Sequence, residues 1–298
     1  MQPDRMDLEK LGADLVERCG LGARGWLGEV PALAARLAGR WDLTLGEMFA
    51  GGAYSVVLRY HWPDGTPAVL KLSPDRAQLT EQAEMLRVFA PSGRVPAVLA
   101  TDAEIGAMAL AEIHPGTEAR GMPSASLPGL WGELLAALHA VTPPAGWPRD
   151  LRGRCAEAFD RIGRKLSEPA VGERIDQATW QRTVLRCQRL LNTQARSVLL
   201  HGDLHPGNAL DAGPSRGLVA IDPKACIGDP CFDAVHYVVE GAGHEGVEAR
   251  CQLTVTACGL NGDRLYAWSR VVAPVRAITY LTDDGPAAEI DELLALAN

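Results

Sequence analysis

The stretch Leu199–Asp233, LLHGDLHPGNALDAGPSRGLVAIDPKACIGDPCFD, limits what the chain around it can fold into. Val198–Leu200 is a short apolar run suited to a buried strand. His201-Gly202-Asp203 turns the chain, and Pro206-Gly207 turns it again before Asn208. Ala209 and Leu210 resume an extended pattern. After the Asp211–Gly217 turn, Leu218–Ile221 reads as the returning strand, because a short apolar run between turn signals suits a strand better than a helix. Such a hairpin brings Asn208 and Asp222 to one end, with Asp203 on the loop before it.

These residue types match one kind of chemistry. Phosphoryl transfer needs positioning and charge neutralisation more than covalent work by the protein. An aspartate in reach of an alcohol orients it and takes its proton late, which assigns Asp203 as the catalytic residue. Magnesium prefers hard oxygen ligands and keeps several waters, so one carboxylate and one amide carbonyl suffice, here Asp222 and Asn208. Turn formation explains an isolated Asp or Asn equally well. It does not explain the joint pattern, in which the Asp203–Asn208 spacing equals that of the D-x-x-x-x-N loop of protein kinases.

HGDLHPGN followed by IDP resembles the aminoglycoside phosphotransferase branch of the kinase-like superfamily. The longer run IDPKACIGDPCFD, with the N-terminal RGWLGEVPALAARLAGRWDL, looks like the streptomycin 6-phosphotransferase and hydroxyurea phosphotransferase group. The resemblance covers most of the chain. It implies an α+β, protein-kinase-like fold with two lobes, a small β-rich N-lobe and a mostly helical C-lobe, with ATP between them and Mg2+ on the phosphates. It also implies a hydroxylated small-molecule acceptor, with streptomycin the leading candidate; another small alcohol, or a binding protein without turnover, are the alternatives.

The upstream residues are read in that light. Leu8–Val16 and Pro31–Leu43 are predicted helices, with Pro31 in a first turn and Leu33, Leu37 and Trp41 on one face. Predicted strands follow at Leu43–Phe49, Ser55–His61, Ala68–Leu72, Val95–Ala100 and Ala107–Ile113, giving a five-stranded antiparallel sheet with one main helix at 75–90. Gly51 and Gly52 let backbone amides approach phosphates, with help from the Ser55 hydroxyl, although a plain hairpin turn also accounts for the glycine doublet. Lys71 stands alone among apolar residues. The resemblance makes it the lysine on the α- and β-phosphates, against the alternative of an edge-strand lysine facing solvent. Glu81 and Glu84 are both candidates to orient Lys71, with Glu84 preferred by resemblance. Backbone groups of Glu112 and Ile113 are expected at the adenine edge.

The N-terminal nucleotide-binding lobe is placed at 1–115 and the helical lobe at 116–298. Helices are expected at 127–141, 151–166, 177–195, 234–240, 245–258, 262–282 and 286–297. Around the hairpin, His201 and His205 are read as loop-shaping, since imidazole is a poor match for magnesium. Lys224 either touches the γ-phosphate or pairs with a carboxylate. Asp229 either faces a cationic substrate or forms a turn, and Asp233 holds the catalytic loop by resemblance. His139 is read as a packing or supporting residue.

Composition sets the remaining bounds. A net charge of −8 argues against a nucleic-acid partner and is compatible with a cationic substrate. No run approaches a membrane span. The seven cysteines are odd in number and form no C-x-x-C pair, which points to reduced thiols and a cytoplasmic location. The charged start, without an apolar core, does not read as a signal peptide.

Overall fold

The computed structural model describes residues 11–13, 15–17, 19–52, 55–240, 246–283 and 285–297. Ala53 and Tyr54 of the glycine loop, the start of the Leu8–Val16 helix, residue 245 at the head of a predicted helix, and Asp284 of a predicted turn lie outside these. The chain forms two compact units: residues 1–90 with 96–113, and 91–95 with 114–298.

The first unit is a sheet and its covering helices. Helix α1 spans Gly22–Trp41, and strands follow at β1 Thr44–Gly52, β2 Ser55–His61, β3 Pro67–Leu72, β4 Val98–Asp102 and β5 Ala107–Ala111. Their spatial order is β1-β2-β3-β5-β4, all antiparallel. Pro31 is not in a first turn; it sits inside α1. Gly22, Gly25 and Gly28 weaken the helical signal of the opening turns, while the buried Ala23, Val30, Ala34 and Leu37 hold them in place. The ring of Pro31 is exposed, where losing one ladder donor is tolerated. Side chains alternate along a strand. Ala68, Leu70 and Leu72 therefore share the face that packs with Leu37 and Ala34 in one apolar cluster, and Lys71 takes the opposite face.

Lys71 pairs in register with Val57 on one side and Met108 on the other, on the middle strand of the sheet. It is 7% exposed. An edge-strand lysine facing solvent is therefore excluded. Helix α2, Arg76–Phe89, is capped by Asp75, whose carboxylate accepts from the Gln78 N–H at 3.0 Å. It packs on β4 and β5 through Leu79, Ala83, Leu86 and Phe89.

The second unit is mostly helical. It contains α3 Leu127–His139, α4 Leu151–Gly163, α5 Gln177–Asn192, α6 Cys231–Val239, α7 Val247–Cys258, α8 Gly262–Thr282 and α9 Ala287–Ala297. Helix α8 packs against α5, α6 and α9, and α3 against α7. The aromatic core joins α3 to α6 by stacking Trp131 on Tyr237, with centroids 4.9 Å apart. It joins α6 to α8 by setting Phe232 edge-on to Trp268 at 5.3 Å. Such ring pairs add about 0.5–1.5 kcal/mol each beyond burial. Two short antiparallel pairs carry the loop region: β6 Val198–Leu200 with β9 Cys226–Gly228, and β7 Ala209–Asp211 with β8 Leu218–Ala220. Strand β9 was not expected from sequence. Among the described residues no helix is long and apolar enough to cross a membrane.

Candidate active site

The β7–β8 hairpin sets Ala209 opposite Ala220, and the Ile221 N–H closes its end by donating to the Asn208 carbonyl at 2.9 Å. Asn208 and Asp222 are thereby held at the same tip. Asp222 adopts φ +59°, in the left-handed region. A non-glycine residue there costs of order 1 kcal/mol or more and is found where surroundings impose it. The Lys224 N–H then donates to the His201 carbonyl at 2.8 Å, returning the chain to β9 beside β6.

The loop that carries Asp203 leaves β6 at His201. Gly202 has φ +79°, and a Cβ there would lie 2.2 Å from the Lys224 carbonyl oxygen. Only glycine satisfies both conditions. The loop is then closed by its own bonds. His205 N–H donates to the Asp203 carbonyl at 3.1 Å, and Asn208 N–H to the His205 carbonyl at 2.8 Å. His205 Nδ1 accepts from the Gly207 N–H at 3.1 Å. The Asn208 amide donates its Nδ2 to the Asp203 carbonyl at 2.9 Å. Its oxygen is the atom left to face a ligand.

Asp203 is flanked by two cations. Lys224 Nζ lies 2.7 Å from Oδ2 and Arg154 Nη2 3.1 Å from Oδ1. Burial alone would raise its pKa, but Lys224 and Arg154 together hold it far below the ordinary carboxylate range. Of the two roles left open for Lys224, the structure shows the carboxylate pair. Arg154 was not singled out in the sequence. It lies on α4, far upstream of the motif, and nothing local distinguishes it from the other arginines of that amphipathic helix.

Asp233 lies in the first turn of α6 with no exposed surface. Its carboxylate accepts the His201 N–H at 2.7 Å, the Gly202 N–H at 2.8 Å and His139 Nε2–H at 3.1 Å. Burial opposes its charge, but the His139 bond and the loop amides outweigh it and lower the pKa. His201 Nε2 donates to the Ile221 carbonyl at 2.9 Å, and burial pushes its pKa down. It bridges the loop to the hairpin as a neutral ring.

Of the two roles left open for it, Asp229 takes the turn-forming one. It is 2% exposed, and its oxygens accept from the Cys231 N–H at 3.0 Å, from Trp268 Nε1–H at 2.7 Å and from the Arg264 guanidinium. Buried carboxylates need such partners, and here they are all internal. Glu84 is exposed on α2 and makes no ion pair with Lys71 among the described residues, because Ala83, Leu86 and Phe89 occupy the buried stripe and turn it outward. Ser55 is buried at the start of β2, opposite Gly52 in register. The Glu112 N–H donates to the Pro67 carbonyl at 3.5 Å, beside the buried Ile113.

A further polar cluster lies within electrostatic reach of Asp203 and His205. Glu240 is paired with Arg276 at 3.4 Å and approached by His236 at 3.8 Å. Burial raises the Glu240 pKa and pushes that of His236 down to about 4.

Residues 47–264 match the model of a family described as the phosphotransferase enzyme family. A streptomycin 6-kinase of Streptomyces glaucescens is 32% identical over 76% of this chain and 72% of its own. A hydroxyurea phosphotransferase of Kitasatospora aureofaciens is 30% identical over 93% of this chain and 81% of its own. The fold is shared with macrolide 2'-phosphotransferase MphH of Brachybacterium faecium, at TM-score 0.57 and 21% identity over 91% of this chain and 98% of that one. That is the protein-kinase-like α+β fold expected from HGD-x-x-x-x-N. A family match of this extent, and relatives of this similarity aligned across most of the chain, establish that the protein belongs to the phosphotransferase enzyme family.

Proposed function

We propose that the protein transfers the γ-phosphoryl group of ATP to a hydroxyl of a small cationic molecule, with an aminocyclitol antibiotic such as streptomycin as the leading acceptor. The observation that carries this reading is the loop bond from Asn208 Nδ2 to the Asp203 carbonyl, with Asn208 tied in turn to Ile221 beside Asp222. A proton-accepting carboxylate and two hard oxygen donors thus sit on one continuous loop-and-hairpin element.

Asp203 orients the acceptor hydroxyl and receives its proton as the new O–P bond forms and the bond to the ADP oxygen breaks. Lys71 is assigned to the nucleotide phosphates, and Gly51, Gly52 and Ser55 to their backbone cradle. The Asn208 amide oxygen and the Asp222 carboxylate would hold Mg2+, which supplies charge neutralisation at the phosphates. The donor set fits that ion. No group of three or more His, Cys, Asp or Glu side chains suited to a metal occurs among the described residues, and an ion that retains its waters needs only this small protein share. Asp222→Ala is expected to weaken Mg2+-dependent ATP binding by about tenfold or more, ~1.4 kcal/mol. Titration calorimetry showing unchanged affinity would remove the metal assignment.

The cationic character of the acceptor is carried by the likeness to the streptomycin kinase, since Asp203 and Glu240 are each already paired with internal cations. A second reading is kept because the hydroxyurea phosphotransferase aligns over more of the chain than the streptomycin kinase does. In it the acceptor is a small hydroxamate-like N–OH. ADP release measured with streptomycin, hydroxyurea and a neutral sugar separates the readings. Streptomycin alone should stimulate release. Hydroxyurea alone would replace the first reading with the second. No stimulation by any of the three, from folded protein that binds Mg-ATP, would overturn both.

A further inference from the structure

We infer that Arg154 is a positioning residue that fixes the direction of the Asp203 carboxylate. The inference rests on Asp203 acting at the acceptor hydroxyl. Arg154 Nε donates to the Gly202 carbonyl at 3.2 Å and Nη2 to Asp203 Oδ1 at 3.1 Å. The two acceptors belong to consecutive residues. One rigid plane therefore joins the backbone before Asp203 to the side-chain end whose torsions decide where the carboxylate points. Lysine cannot do this, because its ammonium is a point charge on a flexible stem.

The base of Arg154 is itself held. The Asp150 carboxylate caps α4 by accepting the Gly153 N–H at 2.8 Å. The Arg149 carbonyl accepts the Ile227 N–H of β9 at 3.0 Å. Leu151 packs so closely on Gly228 that a Cβ there would lie 2.4 Å from it. Strand β9 pairs with β6, from which the catalytic loop departs. Helix, guanidinium, loop and strand pair form a closed circuit around Asp203. A carboxylate has about four acceptor positions, so two cations leave room for the alcohol.

The test uses the full chain with Mg-ATP and streptomycin, or water as acceptor where streptomycin gives no release above that background. Displacing a reacting group by about 1 Å costs on the order of 10²-fold, so Arg154→Met should lower kcat by about 30–100-fold. The KM for ATP should stay within about twofold, because the Arg154 guanidinium is engaged with Gly202 and Asp203. Arg154→Lys, which keeps charge but only one bond, should lose about tenfold. In an Asp203→Asn background, Arg154→Met should change the rate by less than about twofold, since residues acting as a unit are not additive. Thermal unfolding identifies a folding defect, and where Arg154→Met has one, Arg154→Lys is read instead. Wild-type kcat in a folded variant overturns the inference, as does a full additional loss in the Asp203→Asn background. Activity in Asp203→Ala would instead overturn the reading of Asp203 beneath it.

Discussion

Asp203→Ala is expected to reduce turnover by about 10²–10⁴-fold, the range supplied by a positioned proton acceptor. Mg-ATP affinity should survive within about threefold, because the metal is assigned to Asn208 and Asp222. The comparison with Asp203→Asn is informative. Alanine leaves Lys224 and Arg154 without the carboxylate between them, so mutual repulsion disturbs the loop as well as the chemistry. Asparagine keeps the shape and offers one acceptor oxygen, yet it cannot take a proton from the acceptor. Both variants should keep only a residual rate within that range, with asparagine the better folded. Single-turnover kinetics with bound ATP would show the chemical step itself slowed. Near-normal turnover in either variant would remove Asp203 from the mechanism.

Asp233→Ala is expected to be the most damaging change to stability. The carboxylate is fully buried and holds the His201 and Gly202 N–H groups together with His139. Its removal strands two buried backbone donors, each costing about 1–3 kcal/mol, for a total of about 2–6 kcal/mol. Asp233→Asn should lie between, because an amide accepts through one oxygen. The pH dependence follows from the lowered native pKa. A depressed carboxylate contributes stability that is complete above its unfolded pKa of about 3.9 and is lost as pH falls towards the native value. The difference in unfolding midpoint between wild type and Asp233→Ala should therefore be constant near neutrality and shrink below about pH 4. A difference that grew on acidification would contradict the assignment.

Features carried by short segments were legible in the sequence. The strand boundaries at Ser55–His61 and Ala68–Leu72, and the joining of Asn208 to Asp222, depend on apolar runs and turns a few residues long. Burial of Lys71 was legible only as a puzzle, since its place in the middle of the sheet depends on the β3–β5 pairing across intervening helix. Strand β9 went unread because Cys226-Ile227-Gly228 has too few residues to show alternation. Glu84 was preferred for its local context, but the exposed side of α2 is fixed by packing on β4 and β5. Arg154 and the long-range partners of Asp229 went unread for one physical reason: these contacts come from distant helices, and no periodicity encodes a contact of that kind.

The bonds of Asp229 bear on how a helix could be exchanged between relatives. Arg264 and Trp268 stand in the first two turns of the long helix at Gly262–Thr282, and both end on that carboxylate. A chimera importing this helix from a relative must import, or preserve, those two side chains. A graft lacking them would bury a carboxylate stripped of its cation a few residues beyond Lys224, and the segment between β9 and its helix would slacken.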